Sequence, residues 1–341
     1  MALVVSTSMA LAACSGNQSA LAPAGTGAEA IARLFWIMAA GAVVVWLAVV
    51  GIALWSGSRR REARRRDDSA DTDAMQLHDR RVARWLVVGG GMVAPTLLLG
   101  ALLVHGLLLM PRLRAPPPDD GLGSALQVAV TGEQWWWRVR YLRPGEPPVE
   151  LANELRLPVG ERIRLLLDSP DVIHSFWIPA LAGKVDMIPG RTTTLMLEPT
   201  RTGVFDGACA EFCGTSHAFM RFEAVVTGRA AFDAWLLHQA TPAQPPRTAS
   251  ARAGRDAFLR NGCGGCHAIR GTAARGRLGP DLTHVGGRRL LAAGVLSNDV
   301  AGFRRWIADT HDVKPDAVMP DFGMLPESEV HAIANYLDGL E

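Results

Sequence analysis

Two cysteine clusters in the second half of the chain carry side chains suited to redox chemistry. The first reads Cys209-Ala-Glu-Phe-Cys213-Gly-Thr-Ser-His217-Ala-Phe-Met220. With His174, in Asp171-Val-Ile-His174-Ser-Phe-Trp, it offers two thiolates, two imidazoles and a thioether. A single blue-copper ion needs one thiolate, two imidazoles and a weak axial thioether. One thiolate is then left over, which two copper ions bridged by both sulfurs would absorb, each with one His and one weaker ligand. Zinc is the rival metal, but methionine is a poor zinc ligand and zinc carries no electron. The second cluster, Cys263-Gly-Gly-Cys266-His267, has the C-x-x-C-H form of covalent haem attachment. A plain disulfide at either pair would need none of the neighbouring His or Met residues. Both clusters together point to electron transfer.

These groups must be held by more than one core, since 341 residues exceed an ordinary single domain. The formal net charge of +2 gives no sign of a nucleic-acid partner, and none is expected. Of 35 basic residues only Lys184 and Lys314 are lysines. The fifth cysteine, Cys14, closes Leu11-Ala12-Ala13-Cys14, and residues 1–14 resemble a bacterial lipoprotein signal that would lipidate Cys14. The segment lacks the usual N-terminal Lys or Arg.

Two uncharged apolar runs, Leu34 to Trp55 and Trp85 to Met110, are long enough to cross a hydrocarbon core of about 30 Å. The second contains Gly89-Gly90-Gly91, Pro95 and His105. Residues 31–110 therefore read as a transmembrane helical hairpin. Its connecting run, Arg59-Arg60-Arg61-Glu62-Ala63-Arg64-Arg65-Arg66, belongs in the cytoplasm by the positive-inside rule. Both chain termini and both clusters then lie on the periplasmic side of a bacterial inner membrane. From 124 to 238 short β-type runs alternate with turn residues, which predicts an all-β sandwich or barrel. Residues 239–252, with Pro242, Pro245 and Pro246, read as a flexible linker that lets the last domain swing. Residues 253–341 are mainly helical in pattern, with helices expected over Val300–Asp309 and Glu327–Leu340.

The copper-type cluster, the His174 segment and Lys184-Val-Asp-Met-Ile-Pro-Gly190-Arg191 resemble cytochrome c oxidase subunit II over roughly Ile31 to His238. That resemblance implies a cupredoxin-like β-barrel with a binuclear Cu-A centre. Its side-chain ligands would be His174, Cys209, Cys213, His217 and Met220, with Glu211 binding through its backbone carbonyl. The Glu211 carboxylate would face a magnesium ion shared with the catalytic subunit. Gly132-Glu133-Gln134-Trp135-Trp136-Trp137 resembles the family's aromatic patch, in which the first tryptophan, Trp135, receives the electron. Alternation within a strand means that Trp135 and Trp137 share one face while Trp136 takes the other. The family's proton-admitting Glu near the second span is absent, since Val82 stands there among Arg80, Arg81 and Arg84. His105, polar at membrane depth, belongs against a partner helix or near the outer interface.

The C-terminal residues resemble a small all-α class I cytochrome c. Leu278-Gly-Pro280-Asp-Leu-Thr-His-Val-Gly286 matches the loop supporting the proximal histidine, and Ala317-Val-Met319-Pro320 the distal segment. The haem c would be held by Cys263, Cys266, His267 and Met319, with Met324 the rival sixth ligand. His/Met ligation raises the iron potential. Taken together, the resemblances imply a subunit of a respiratory haem–copper oxidase, working with a catalytic subunit I that reduces dioxygen and pumps protons. Cytochrome c or another periplasmic donor would supply electrons. The alternative from another class is a membrane-tethered electron carrier or copper-handling protein outside any oxidase.

Overall fold

The computed structural model of the protein describes residues 16–65, 80–113 and 126–341. The lipoprotein-type segment and Cys14 lie outside the described residues. Two compact units are present, one formed by residues 33–114 and the other by 1–32 with 115–341.

In the first unit, helix α1 (Thr26–Arg65) continues through the arginine-rich run instead of breaking into a loop. Arg59 lies 4.4 Å from the centre of the Trp55 ring. The second apolar helix runs from Arg80 to Met110. Leu86–Val93 is π-helical, and the Ala94 N–H reaches back to the Gly89 carbonyl. The glycine run thus becomes a widened turn ahead of Pro95, which has no N–H to offer an α-helical bond. Helix α2 (Ala94–Leu113) follows. Both helices are long and apolar enough to cross a membrane, and their apolar windows are unburied.

The second unit opens with a β-sandwich. One sheet contains β1 (Leu126–Glu133), β2 (Trp136–Arg143), β3 (Glu146–Ala152), β5 (Ile163–Asp168) and β8 (Thr193–Leu197), in the order β3-β2-β1-β5-β8. The other contains β4 (Glu154–Pro158), β6 (His174–Trp177), β7 (Val185–Met187), β9 (Gly203–Cys209) and β10 (Arg221–Thr227), in the order β4-β10-β9-β6-β7. The period of two in each strand decides which side chains face inward. Along β2, Trp137, Val139 and Tyr141 are buried while Arg138 and Arg140 point outward. Trp137, Phe176 and Phe222 form the aromatic centre, with ring centroids 4.8 to 5.6 Å apart. Residues ahead of and at the start of α1 pack on this sandwich: the Ala24 N–H donates to the Ala180 carbonyl, and Gly25 bridges Pro199. Helix α3 (Arg229–Gln239) closes the domain.

The C-terminal domain is built on α4 (Ala249–Arg260), α5 (Val300–Ala308), the short α6 (Thr310–Val313) and α7 (Glu327–Asp338), with a small β11–β12 ribbon at Leu290–Leu291 and Leu296–Ser297. Helix α4 begins inside the segment read as linker. Thr248 is its N-cap, its hydroxyl accepting from the Ala251 N–H at 3.1 Å. Helices α4 and α7 cross at Gly254, where a Cβ would sit 1.9 Å from the Ala332 carbonyl oxygen. The opposing atom is backbone and cannot step aside. We expect Gly254→Ala to destabilise this domain by about 3 kcal/mol, the upper end for overpacking, read as a lower denaturant midpoint of its helical signal.

The two domains of this unit are docked, contrary to the swinging arrangement expected from a flexible linker. Arg270 of the helical domain donates to the Gln239 carbonyl at 2.6 Å, and the Ala243 N–H donates to the Arg270 carbonyl. Acidic residues of the sandwich meet arginines across the junction: Arg289 pairs with Glu223 at 2.6 Å, and its N–H reaches Glu154. Arg138, held by Glu133 and Glu150, donates to the Arg277 carbonyl at 3.0 Å. These contacts convert the proline-containing stretch from a tether into a strap.

Candidate metal and haem centres

Cys209 ends β9 and Met220 immediately precedes β10, so the intervening loop is fixed at both ends by paired strands. His174 arrives from β6, the other neighbour of β9, where Phe176 pairs with Cys209. Strand adjacency brings residues 35 positions apart onto one site.

The six predicted donors converge. Cys209 Sγ lies 3.8 Å from Cys213 Sγ, 3.9 Å from His174 Nδ1 and 3.2 Å from the Glu211 carbonyl oxygen. Cys213 Sγ lies 3.4 Å from His217 Nδ1 and 3.8 Å from Met220 Sδ. His174, Cys209, Cys213 and Met220 are all buried. His174, Cys209 and Cys213 form the one His/Cys/Asp/Glu cluster of metal-binding geometry among the described residues. The cysteines are free thiols, as are Cys263 and Cys266. The Cys213 thiol's hydrogen bond pulls the Cys209 pKa well down, while Cys213, beside that thiolate and buried, moves up. The pair thus shares one proton, which a soft cation would replace. The donor set fits copper.

Asp171 orients His174. Its Oδ1 accepts from His174 Nε2 at 2.8 Å, which turns Nδ1 towards the sulfurs. Burial works against charge on both partners, yet their bond holds Asp171 down to about 2 and lifts His174 to about 9. Sequence reasoning quoted Asp171 only as part of the His174 segment and gave it no role. We expect Asp171→Asn to weaken copper retention about 10- to 100-fold, measured by competition with a chelator. Because the folded pKa lies below the free value of 3.8, Asp171 adds stability above that pH and loses it as pH falls towards 2. The copper-free Asp171→Asn variant should therefore lose part of the acid limb of the unfolding profile.

The three tryptophans separate into three environments. Trp135 lies in the turn between β1 and β2, not in a strand, which replaces the simple alternation expected. It is buried, and its indole Nε1 donates to the Cys213 carbonyl at 3.0 Å. Gln134 Nε2 donates to the same carbonyl at 2.7 Å. Trp136 stacks under Arg138, 4.6 Å from ring centre to guanidinium. Trp137 belongs to the core.

The helical domain encloses an apolar cavity lined by Phe258, Leu282, Phe303, Ile307 and Ile333, among others, with Cys263, Cys266, His267 and Met319 on its wall. Met324, the rival sixth ligand, is 77% exposed and absent from that lining. His267 Nδ1 donates to the Pro280 carbonyl at 2.8 Å, leaving Nε2 for a metal. Burial lowers the His267 pKa, so the imidazole is neutral and its lone pair available. Gly279 is required at this point, since a Cβ there would lie 2.5 Å from the His267 ring. Arg288, missed from the sequence, also lines the cavity, with its buried Nε lacking a hydrogen-bond partner. A porphyrin's carboxylate side chains are suited to such an orphan donor. His284 is structural, its two ring nitrogens lying 2.8 and 3.0 Å from the Glu341 and Thr241 carbonyls. His311 pairs with Asp321 on the surface. The cavity opens onto the sandwich, where Gln134, Trp135 and Trp136 complete its wall.

Fold and site define a class: a β-sandwich with a thiolate-centred copper-type site, fused to a c-type cytochrome domain. Comparison with known proteins agrees domain by domain. The profile of "Cytochrome C oxidase subunit II, periplasmic domain" matches residues 145–227, and that of "Cytochrome c" matches residues 251–341. Cytochrome c oxidase subunit 2 of Bacillus subtilis (strain 168) is 30% identical over 263 residues, covering 73% of each chain. The Alkalihalophilus pseudofirmus protein of the same name is 38% identical over 225 residues, which cover 66% of this chain and 64% of that protein. An alternative cytochrome c oxidase subunit 2 of Bradyrhizobium diazoefficiens is 31% identical over 214 residues, 55% of this chain and 71% of that one. This chain therefore spans just under two thirds of the Alkalihalophilus protein and more of the other two. It belongs to the cytochrome c oxidase subunit 2 family.

Proposed function

We propose that the chain is the electron-inlet subunit of a respiratory haem–copper cytochrome c oxidase, with its own cytochrome c domain as the internal donor. His174, Cys209, Cys213, His217, Met220 and the Glu211 carbonyl would hold the Cu-A pair. Cys263, Cys266, His267 and Met319 would hold haem c. When bound, these groups supply one-electron redox chemistry.

The chain's own residues set its direction and its insulation. Trp135 touches the copper loop through its indole N–H and forms part of the haem cavity wall. This one observation carries the proposal, because a single side chain joins the two sites. Burial of the copper donors keeps water from the thiolates. The exposed Glu211 side chain belongs, on this reading, to a magnesium site shared with the catalytic subunit. Val82 offers no carboxylate at the position where the family's proton-admitting Glu stands.

Packing of residues 24 and 25 on the sandwich supports an even number of crossings, because the segment ahead of α1 must share a side with the copper domain. The arginine run then faces the cytoplasm, and both redox domains face the periplasm of the inner membrane. Purification of the tagged chain from its native membrane provides the test. A catalytic subunit with further haems should accompany it, and reduced cytochrome c should drive oxygen uptake. A lone polypeptide with full haem and copper content would instead make it a tethered carrier.

A further inference from the structure

Lys314 is one of two lysines in the chain, and it is 3% exposed. A side chain with four methylenes and a polar head is rarely enclosed without a dedicated partner. Here the partner belongs to the other domain: Lys314 Nζ donates to the Trp135 carbonyl. The next residue is held the same way, its Pro315 carbonyl accepting from Ser216 Oγ at 2.5 Å. Ser216 is fully buried and sits in the copper loop between Cys213 and His217. Lys314 and Pro315 stand at the start of the stretch that leads to Met319, and the Ala317 N–H turns back onto the Lys314 carbonyl. Trp135 is fixed on its other side by its bond to the Cys213 carbonyl. The Met319 stretch and the copper loop are therefore pinned to each other at two adjacent points, with Trp135 between them.

We propose that Lys314, assisted by Ser216, is a positioning residue that registers the Met319 stretch of the haem domain against Trp135 and so sets the rate of transfer between the two domains. The proposal rests on the electron-inlet function above. Lys314 makes no hydrogen bond to either set of metal ligands, and its hydrogen bond falls on Trp135 at the wall of the haem cavity. An amine donates in either protonation state, so the hydrogen bond survives loss of the charge, which also acts on the nearby Cys213. The surface pairs at the junction, such as Arg289–Glu223 with Arg289 half exposed, contribute far less to register than these two enclosed bonds.

The test uses the full chain, loaded with haem and copper, in three variants. Lys314→Met removes the donor at nearly constant length, Lys314→Gln keeps an N–H donor without the charge, and Ser216→Ala removes the second bond. Two quantities are read: the rate at which copper is reduced after rapid reduction of the haem, and hydrogen exchange in peptides covering residues 133–137 and 314–319. Lys314→Met should slow the transfer several-fold, because electron transfer weakens steeply as the redox groups move apart. It should also raise exchange in both peptides. Ser216→Ala should do the same to a smaller extent, and Lys314→Gln should recover most of both quantities. Unchanged transfer and exchange in Lys314→Met, with haem and copper spectra intact, would overturn the proposal. So would a Lys314→Gln variant as slow as Lys314→Met. Absence of either metal spectrum in the parent chain would instead defeat the functional proposal and is read separately.

Discussion

Cys209→Ser is expected to abolish the two-copper centre while leaving the haem spectrum unchanged. Cys209 Sγ contacts the Glu211 carbonyl, Cys213 and His174, so three donors lose their common neighbour. A serine hydroxyl is a hard donor and stays protonated at neutral pH, so it cannot bridge two soft ions. Outer-sphere partners of a metal already cost about 10- to 100-fold when removed, and loss of a proposed thiolate ligand should cost more. Copper per chain should fall from two to one or none, and electron delivery to the catalytic subunit should drop more than about 100-fold. Copper analysis with haem absorbance on the same sample checks both halves of the expectation. The haem domain should hold, since its core of Phe258, Ile333, Tyr336 and Leu337 contains nothing from the copper loop.

The converse variant, His267→Ala, should leave copper binding intact and disable the haem. His267 is the imidazole whose Nδ1 is committed to the Pro280 carbonyl, so its Nε2 is aimed and neutral. Cys263 and Cys266, the proposed thioether sites, are left in place. The low-spin spectrum expected of His/Met ligation should be lost, and oxidation of an external reduced cytochrome c should fall at least about 100-fold. A copper signal of parental intensity in the same variant would show that the two sites assemble independently. Met324→Ala should change neither spectrum, because that side chain is outside the cavity.

Most of the copper site was legible because its chemistry is local. Cys209 to Met220 lie on one loop, and their spacing already presents two thiolates, an imidazole and a thioether together. His174 was found from its own segment, and β6 beside β9 supplies the physical reason it arrives. The haem site was legible for the same reason at Cys263 to His267. Contacts made at long range were not. The docking of the two domains uses contacts between residues more than 60 positions apart, such as Arg289 with Glu223 and Arg138 with the Arg277 carbonyl, and a near-neutral total charge gave no hint of them. The proline-containing segment looked like a tether because composition does not reveal that Arg270 will hold its start and Thr248 will cap a helix at its end. Trp135 contacts the copper loop but was assigned to a strand, since the turn at Gln134 and Trp135 carries neither Gly nor Pro as a signal. Arg288 and Lys314 were invisible as buried residues, because each depends on a cavity that sequence pattern does not describe.

The most direct test of the central claim is an electron paramagnetic resonance spectrum of the full chain, purified with copper and haem and recorded beside its optical spectrum. The account predicts a mixed-valence signal from one electron shared by two copper ions, together with low-spin haem c. A signal from a single copper ion, or no copper signal after loading, would contradict it.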